Sequence, residues 1–113
     1  MRYIILIYDN EASAPQDEGE MKRWFDYTDE LRASGHYLAG EALHPTSAAT
    51  TVRLKNGKRV VTDGPFAETK EQLGGFYMVE CDNLDQALAW AEKIPSADRG
   101  SVEVRPIMDF GEQ

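Results

Sequence analysis

Apolar positions along this chain recur with two periods, and the switches between them mark out the elements. Residues 2–8 (Arg-Tyr-Ile-Ile-Leu-Ile-Tyr) are apolar on both parities, the pattern of a central strand with neighbours on each side. A polar loop with Asp9, Asn10 and Pro15 follows. Residues 17–34 change to helical spacing, with Met21, Trp24, Phe25, Thr28 and Leu31 as the expected buried stripe. Asp17 with Glu20 three residues on resembles a capping box, and Gly35 is the expected left-handed stop. Residues 36–43 predict a second strand, in which Gly40 permits a bend or a close approach of backbone.

Residues 51–61 predict a hairpin, since Val52, Leu54 and Val61 flank Asn56-Gly57, a strong tight-turn signal. A two-residue loop sets Lys55 opposite Lys58, an unfavourable pairing that a bulged three-residue loop would relieve, so both registers stand open. A long irregular stretch occupies 62–75. The next strand covers 76–81. Asn83 with Gln86 opens a second helix, with Leu84, Ala87, Leu88, Ala91 and Ile94 facing inward and Pro95 ending it. Residues 101–107 alternate, with Val102 and Val104 on one face and Glu103 and Arg105 on the other. The order is β-α-β, an inserted hairpin, then β-α-β. That order predicts an α+β fold, a ferredoxin-like split βαβ sheet with both helices on one face. Its other face is left bare and largely apolar, and a second copy is the expected cover, making a homodimer.

Composition narrows the function classes. The chain has 113 residues, which is one domain on size, spanning 1–113. Twelve Lys+Arg against twenty Asp+Glu give a net charge of −8, which argues against a nucleic-acid partner. The longest strictly apolar run, Ile4 to Ile7, is too short to cross a membrane. The single Cys81 cannot form an internal disulfide, and a cytoplasmic location is expected. His36 and His44 lack the partners and spacing of a metal site, and neither phosphate-loop pattern occurs, so no metal or cofactor is expected. Arg53, Lys55, Lys58 and Arg59 cluster on the hairpin, either as an anion-attracting patch or as a solvated tip. Trp24, Phe25 and Trp90 read as core or interface aromatics.

The densest polar cluster outside the helices is Asp63-Gly64-Pro65-Phe66-Ala67-Glu68-Thr69-Lys70-Glu71. Asp63 stands at a sharp turn, where its carboxylate either caps that turn or acts on a ligand. Glu68, Lys70 and Glu71 are either a solvated charge run or ligand contacts. The whole run Thr62 to Tyr77, with its Asp-Gly-Pro-Phe core and Gly74-Gly75, resembles the signature of the YCII-related proteins of the DGPF type. Gly40-Glu41-Ala42-Leu43 and the closing Val102-Glu103-Val104-Arg105-Pro106 fit the same family.

The resemblance spans essentially the whole chain. It implies a bacterial homodimer of the dimeric α+β barrel kind, and a functional link to a sigma factor. It also implies a His–Asp acid/base pair in a cleft. Asp63 matches the carboxylate by its place in the motif, but the first helix carries no histidine, and Trp24 or Tyr27 stands in the comparable region. Two functions are therefore expected. One is binding of a small polar metabolite in a cleft beside the Asp63 loop, with acid/base catalysis through Asp63 and with Tyr27, Glu68, Lys70 and Arg105 orienting the ligand. The alternative is a non-catalytic ligand-binding or regulatory module.

Overall fold

A computed structural model describes residues 1–111. Six strands and two α-helices follow in the order β1 (Arg2–Asp9), α1 (Glu18–Ala33), β2 (Tyr37–Ala42), β3 (Thr50–Lys55), β4 (Lys58–Asp63), β5 (Gln72–Glu80), α2 (Leu84–Glu92) and β6 (Ser101–Pro106). Four strands form one antiparallel sheet in the order β2-β5-β1-β6, and β3 pairs with β4 alone. With the β3–β4 arm set aside, this is the ferredoxin-like order: each β-α-β crossover spans a strand of the other half. Among the described residues no helix is long and apolar enough to cross a membrane.

Both helices lie on one face of the sheet. Tyr3, Ile5 and Ile7 of β1 and Tyr77 and Val79 of β5 point toward them and are buried with Leu31, Ala87, Ala91 and Ile94. Ile5, Leu31 and Val79 are fully buried, each contributing on the order of 1.5–3 kcal/mol. Val102 and Val104 pack against this core as their alternation predicts. The opposite parity, with Ile4, Leu6, Phe76 and Met78, remains half-buried on the open face. Gly40 is required where it stands, because a Cβ there would lie 2.6 Å from the Tyr77 ring.

The inward faces of the helices differ from those the spacing predicts. In α1 the buried side chains are Glu20, Tyr27 and Leu31, while Met21 and Phe25 are 51% and 61% exposed. The stripe is rotated because two polar residues find partners inside. Asp17 does cap the helix, accepting from the Glu20 N–H at 2.9 Å. The Glu20 carboxylate, instead of turning back to complete a capping box, accepts from Arg23, Trp24 and Arg99. In α2, Ala87 and Ala91 are buried, whereas Leu84 and Leu88 are nearly half exposed.

The hairpin adopts the two-residue register. Asn56 and Gly57 both take positive φ, 51° and 78°, the signature of the turn that matches strand twist. Lys55 does face Lys58, but both are exposed, where water screens the repulsion. The irregular stretch is shorter than the sequence suggests, since β4 runs on to Asp63 and β5 begins at Gln72.

Candidate functional site

A cavity of about 590 Å³ opens between α1, from Trp24 to Arg32, and strands β1, β2 and β5. That volume lies within the ordinary range for small-molecule pockets. Trp24 and Phe25 from α1, Tyr37 from β2 and Tyr77 from β5 supply aromatic walls, and the acidic residues Asp29 and Glu41 line it as well. The Tyr77 hydroxyl sits 2.5 Å from Thr28 Oγ1, and burial raises its pKa. Arg32 lies 4.6 Å from the centre of the Tyr37 ring, a cation–π contact at one rim.

The polar end of the cavity is built by the turn that follows α2. The N–H groups of Arg99 and Gly100 donate to the Ser96 carbonyl at 3.1 and 2.9 Å, curling the chain back. This aims Ser96 and Arg99 at the cavity. Arg99 Nε donates to Asp9 Oδ2 at 2.8 Å and Nη2 to Glu20 Oε2 at 2.5 Å, joining β1, α1 and the turn. Arg23 adds a bond to Glu20 at 3.1 Å and one to the Pro95 carbonyl at 3.0 Å. The Arg99 hydrogen bond is the main reason the Glu20 carboxyl titrates below its usual range, against an opposing effect of burial. One group here is unsatisfied: Ser96 Oγ, on a residue 1% exposed, has no hydrogen-bond partner among the described residues. A buried hydroxyl without a partner is uncommon and calls for an explanation.

The five side chains expected to form the site lie in three separate places. Tyr27 is in the core at 4% exposure, and its hydroxyl donates to the Trp90 carbonyl at 2.8 Å. Burial raises its pKa far from neutrality. Asp63 ends β4 and is exposed, and its carboxylate accepts none of the hydrogen bonds formed among the described residues, so it does not cap its turn. Glu68 and Lys70 are exposed on the 64–71 loop. Arg105 is exposed on the open sheet face, paired with Glu103 at 2.9 Å. None of the five lines the cavity, although the far end of the motif, Gly74 to Tyr77, does.

Glu20, Ser96 and Arg99 escape sequence reading. Glu20 carries a faint signal, since it shares helical phase with Trp24, Tyr27 and Leu31. Ser96 and Arg99 carry none. Of the remaining candidates, His36 lies outside the cavity with Nδ1 2.8 Å from the Glu80 carbonyl, and Cys81 is buried with a raised pKa. No cluster of metal-ligating side chains occurs among the described residues.

Comparison with known proteins places the chain. The profile of the YCII-related domain matches residues 1–111. An uncharacterised protein of Rhizobium meliloti (strain 1021) is 40% identical over 114 residues, covering 95% of this chain and 92% of the relative. Among solved structures, a 5-chloro-2-hydroxyhydroquinone dehydrochlorinase (TftG) from Burkholderia phenoliruptrix AC1100, in complex with 2,5-dihydroxybenzoquinone, is similar. It aligns at 15% identity with a TM-score of 0.49, over 96% of this chain and 94% of that one. The sixteen-residue motif, the helix order and the full-length match agree: this chain belongs to the YCII-related family.

Proposed function

We propose that this YCII-related protein is a small-molecule binding module whose ligand occupies the aromatic cavity between α1 and the sheet. The ligand class is a flat, uncharged ring carrying a hydroxyl or carbonyl group. The observation that carries this reading is the unpartnered Ser96 Oγ at the end of a pocket with aromatic walls. A ring stacks against Trp24, Phe25 and Tyr77, and its polar substituent meets the orphan hydroxyl. At the polar end of the cavity net charge on the ligand is disfavoured, because the ions there already compensate each other through Asp9, Arg99 and Glu20.

Binding without catalysis is favoured by the lining. Among the described residues no histidine or cysteine lines the cavity; of its three acidic residues, Asp9 is held in an ion pair with Arg99, while Asp29 and Glu41 form none. A regulatory role, including one linked to a sigma factor, is compatible with such a module. A single cysteine, with no partner for an internal disulfide, supports a reducing, cytoplasmic setting. Acid/base work through Asp63 is the second reading, supported by a carboxylate left free of its own turn; it requires substrate to reach the arm.

A thermal-shift screen of hydroxylated aromatic metabolites on wild type, Ser96→Ala and Asp63→Asn tests both. The binding reading expects a compound that stabilises wild type and Asp63→Asn but not Ser96→Ala. Loss of the shift in Asp63→Asn alone would instead establish the second reading. No shift from any compound in wild type would overturn both.

A further inference from the structure

We infer that the cavity takes an aromatic α-amino acid. The ring lies between Trp24, Phe25 and Tyr77 with its hydroxyl at Ser96, and the α-ammonium and α-carboxylate meet Asp29 and Arg32 at the rim. This rests on the cavity being the ligand site and adds the chemistry of its second polar end.

Helix α1 sets the order of the two ends. Trp24, Phe25, Thr28, Asp29 and Arg32 recur at helical spacing and turn one face of α1 to the cavity. From Trp24 to Arg32 the helix rises about 12 Å, the span of one ring with a short tail. Glu20, one turn before Trp24, holds Arg99, so Ser96 and Arg99 close the cavity near the start of α1. Asp29 and Arg32 stand at the other end. Between the two ends the sheet is low. By register Gly40 and Ala42 of β2 and Gly75 of β5 share the helix-facing parity of Tyr77, and none carries more than a methyl group.

The charges at the rim lack partners. Asp29 stands in the last two turns of α1, where the helix dipole favours cations. Its neighbour Glu30 is met there by Lys93, and Asp26, a turn earlier, by Lys22. Among the described residues Asp29 has no ion pair, and neither has Arg32. The Arg32 guanidinium lies over the Tyr37 ring and donates to the Tyr37 hydroxyl at 3.3 Å, which leaves its other N–H groups free to meet an anion. Asp29 and Arg32 are helix neighbours, yet they do not close on each other. Glu41 also borders the cavity, but it pairs with Phe76, on the parity that faces away from the helices.

The two signs together select the tail. An amine alone would meet Arg32 as a like charge, and an acid alone would meet Asp29 as one. Ammonium and carboxylate on one carbon satisfy both residues. At the far end the orphan Ser96 hydroxyl, on a residue 1% exposed, offers a hydrogen bond to a ring hydroxyl.

Calorimetric titration of the full chain tests this with L-tyrosine, tyramine, 3-(4-hydroxyphenyl)propionate and 4-methylphenol, which share the ring hydroxyl and differ in the tail. L-Tyrosine should bind about tenfold more tightly than 4-methylphenol, and more tightly than either singly charged probe, since each exposed rim contact contributes up to about fivefold. Asp29→Asn should weaken L-tyrosine and tyramine by about threefold and leave 4-methylphenol unchanged. Arg32→Gln should weaken L-tyrosine and the propionate to the same extent, but not tyramine. Asp26→Asn, which removes a charge outside the cavity, should change none of them. 4-Methylphenol binding as tightly as L-tyrosine overturns the inference and leaves the cavity as a site for rings. Equal losses in Asp26→Asn and Asp29→Asn overturn it as an effect of overall charge, and loss of tyramine in Arg32→Gln overturns it as a disturbance of the wall. No binding by any probe overturns it too, while another compound whose stabilising shift is lost in Ser96→Ala would still uphold the cavity as the site.

Discussion

The body of this protein and its arm are both antiparallel β-structure, yet they are stabilised differently. In the body, β1 from Arg2 to Tyr8 and β5 from Gly75 to Val79 alternate between buried and half-buried positions, and the inward set meets two helices. In the arm, no side chain of β3 or β4 is buried. The arm's order comes from a favourable turn at Asn56-Gly57 and from hydrogen bonds at its base. The body's order comes from apolar surface removed from water and from one ion network that ties three distant segments. A strand pattern thus sets which residues share a face, while burial depends on whether another element arrives to cover that face.

This contrast can be broken most sharply at Glu20. Removing it leaves the Trp24 indole N–H without a partner, Arg99 with Asp9 alone and Arg23 with the Pro95 carbonyl alone, so Glu20→Ala should lower folding stability by about 1.5–3 kcal/mol in urea titration. The folded carboxyl titrates below its unfolded value of about 4.3, so its contribution is present above that pH. It is lost as pH falls through the lowered folded pKa. Glu20→Gln should accordingly flatten the acid limb of the stability profile; an acid limb as steep as wild type would remove Glu20 from its cause.

Gly100 sharpens the comparison next. A Cβ there would sit 2.2 Å from the Tyr8 carbonyl oxygen, which is backbone and cannot swing away. Gly100→Ala should cost about 1–3 kcal/mol, read from the denaturation midpoint. It should also reduce ligand response, since this turn aims Ser96 and Arg99. Ser96→Ala, by contrast, removes a hydroxyl that has no partner. It should leave stability unchanged or raise it by up to about 1 kcal/mol while abolishing the ligand-induced shift. A marked loss of stability would mean that Ser96 is already satisfied.

The smallest effect belongs to the arm. Leu54→Ala, measured in dilute monomer, should change folding stability by no more than about 0.5 kcal/mol. Leu31→Ala in the same assay should cost about 2–5 kcal/mol, because Leu31 is fully buried. Equal losses at the two leucines would erase the distinction between body and arm.

Much of this molecule is decided by local pattern. The βαββαβ order, the hairpin at Asn56-Gly57, the inward Val102 and Val104 and the close approach at Gly40 all follow from short-range periodicity and turn chemistry, which act within a few residues. The motif from Thr62 to Tyr77 identifies the family. The inward faces of the helices do not follow, because apolar spacing cannot register that Glu20 will be neutralised by Arg99, seventy-nine positions away. The same holds for the cavity. Asp9 and Arg99 are ninety positions apart, and Ser96 becomes an orphan donor only where the turn after α2 folds back over α1 and β1. Charge compensation and desolvation are properties of a place in space, and only the tertiary structure brings those side chains to one place.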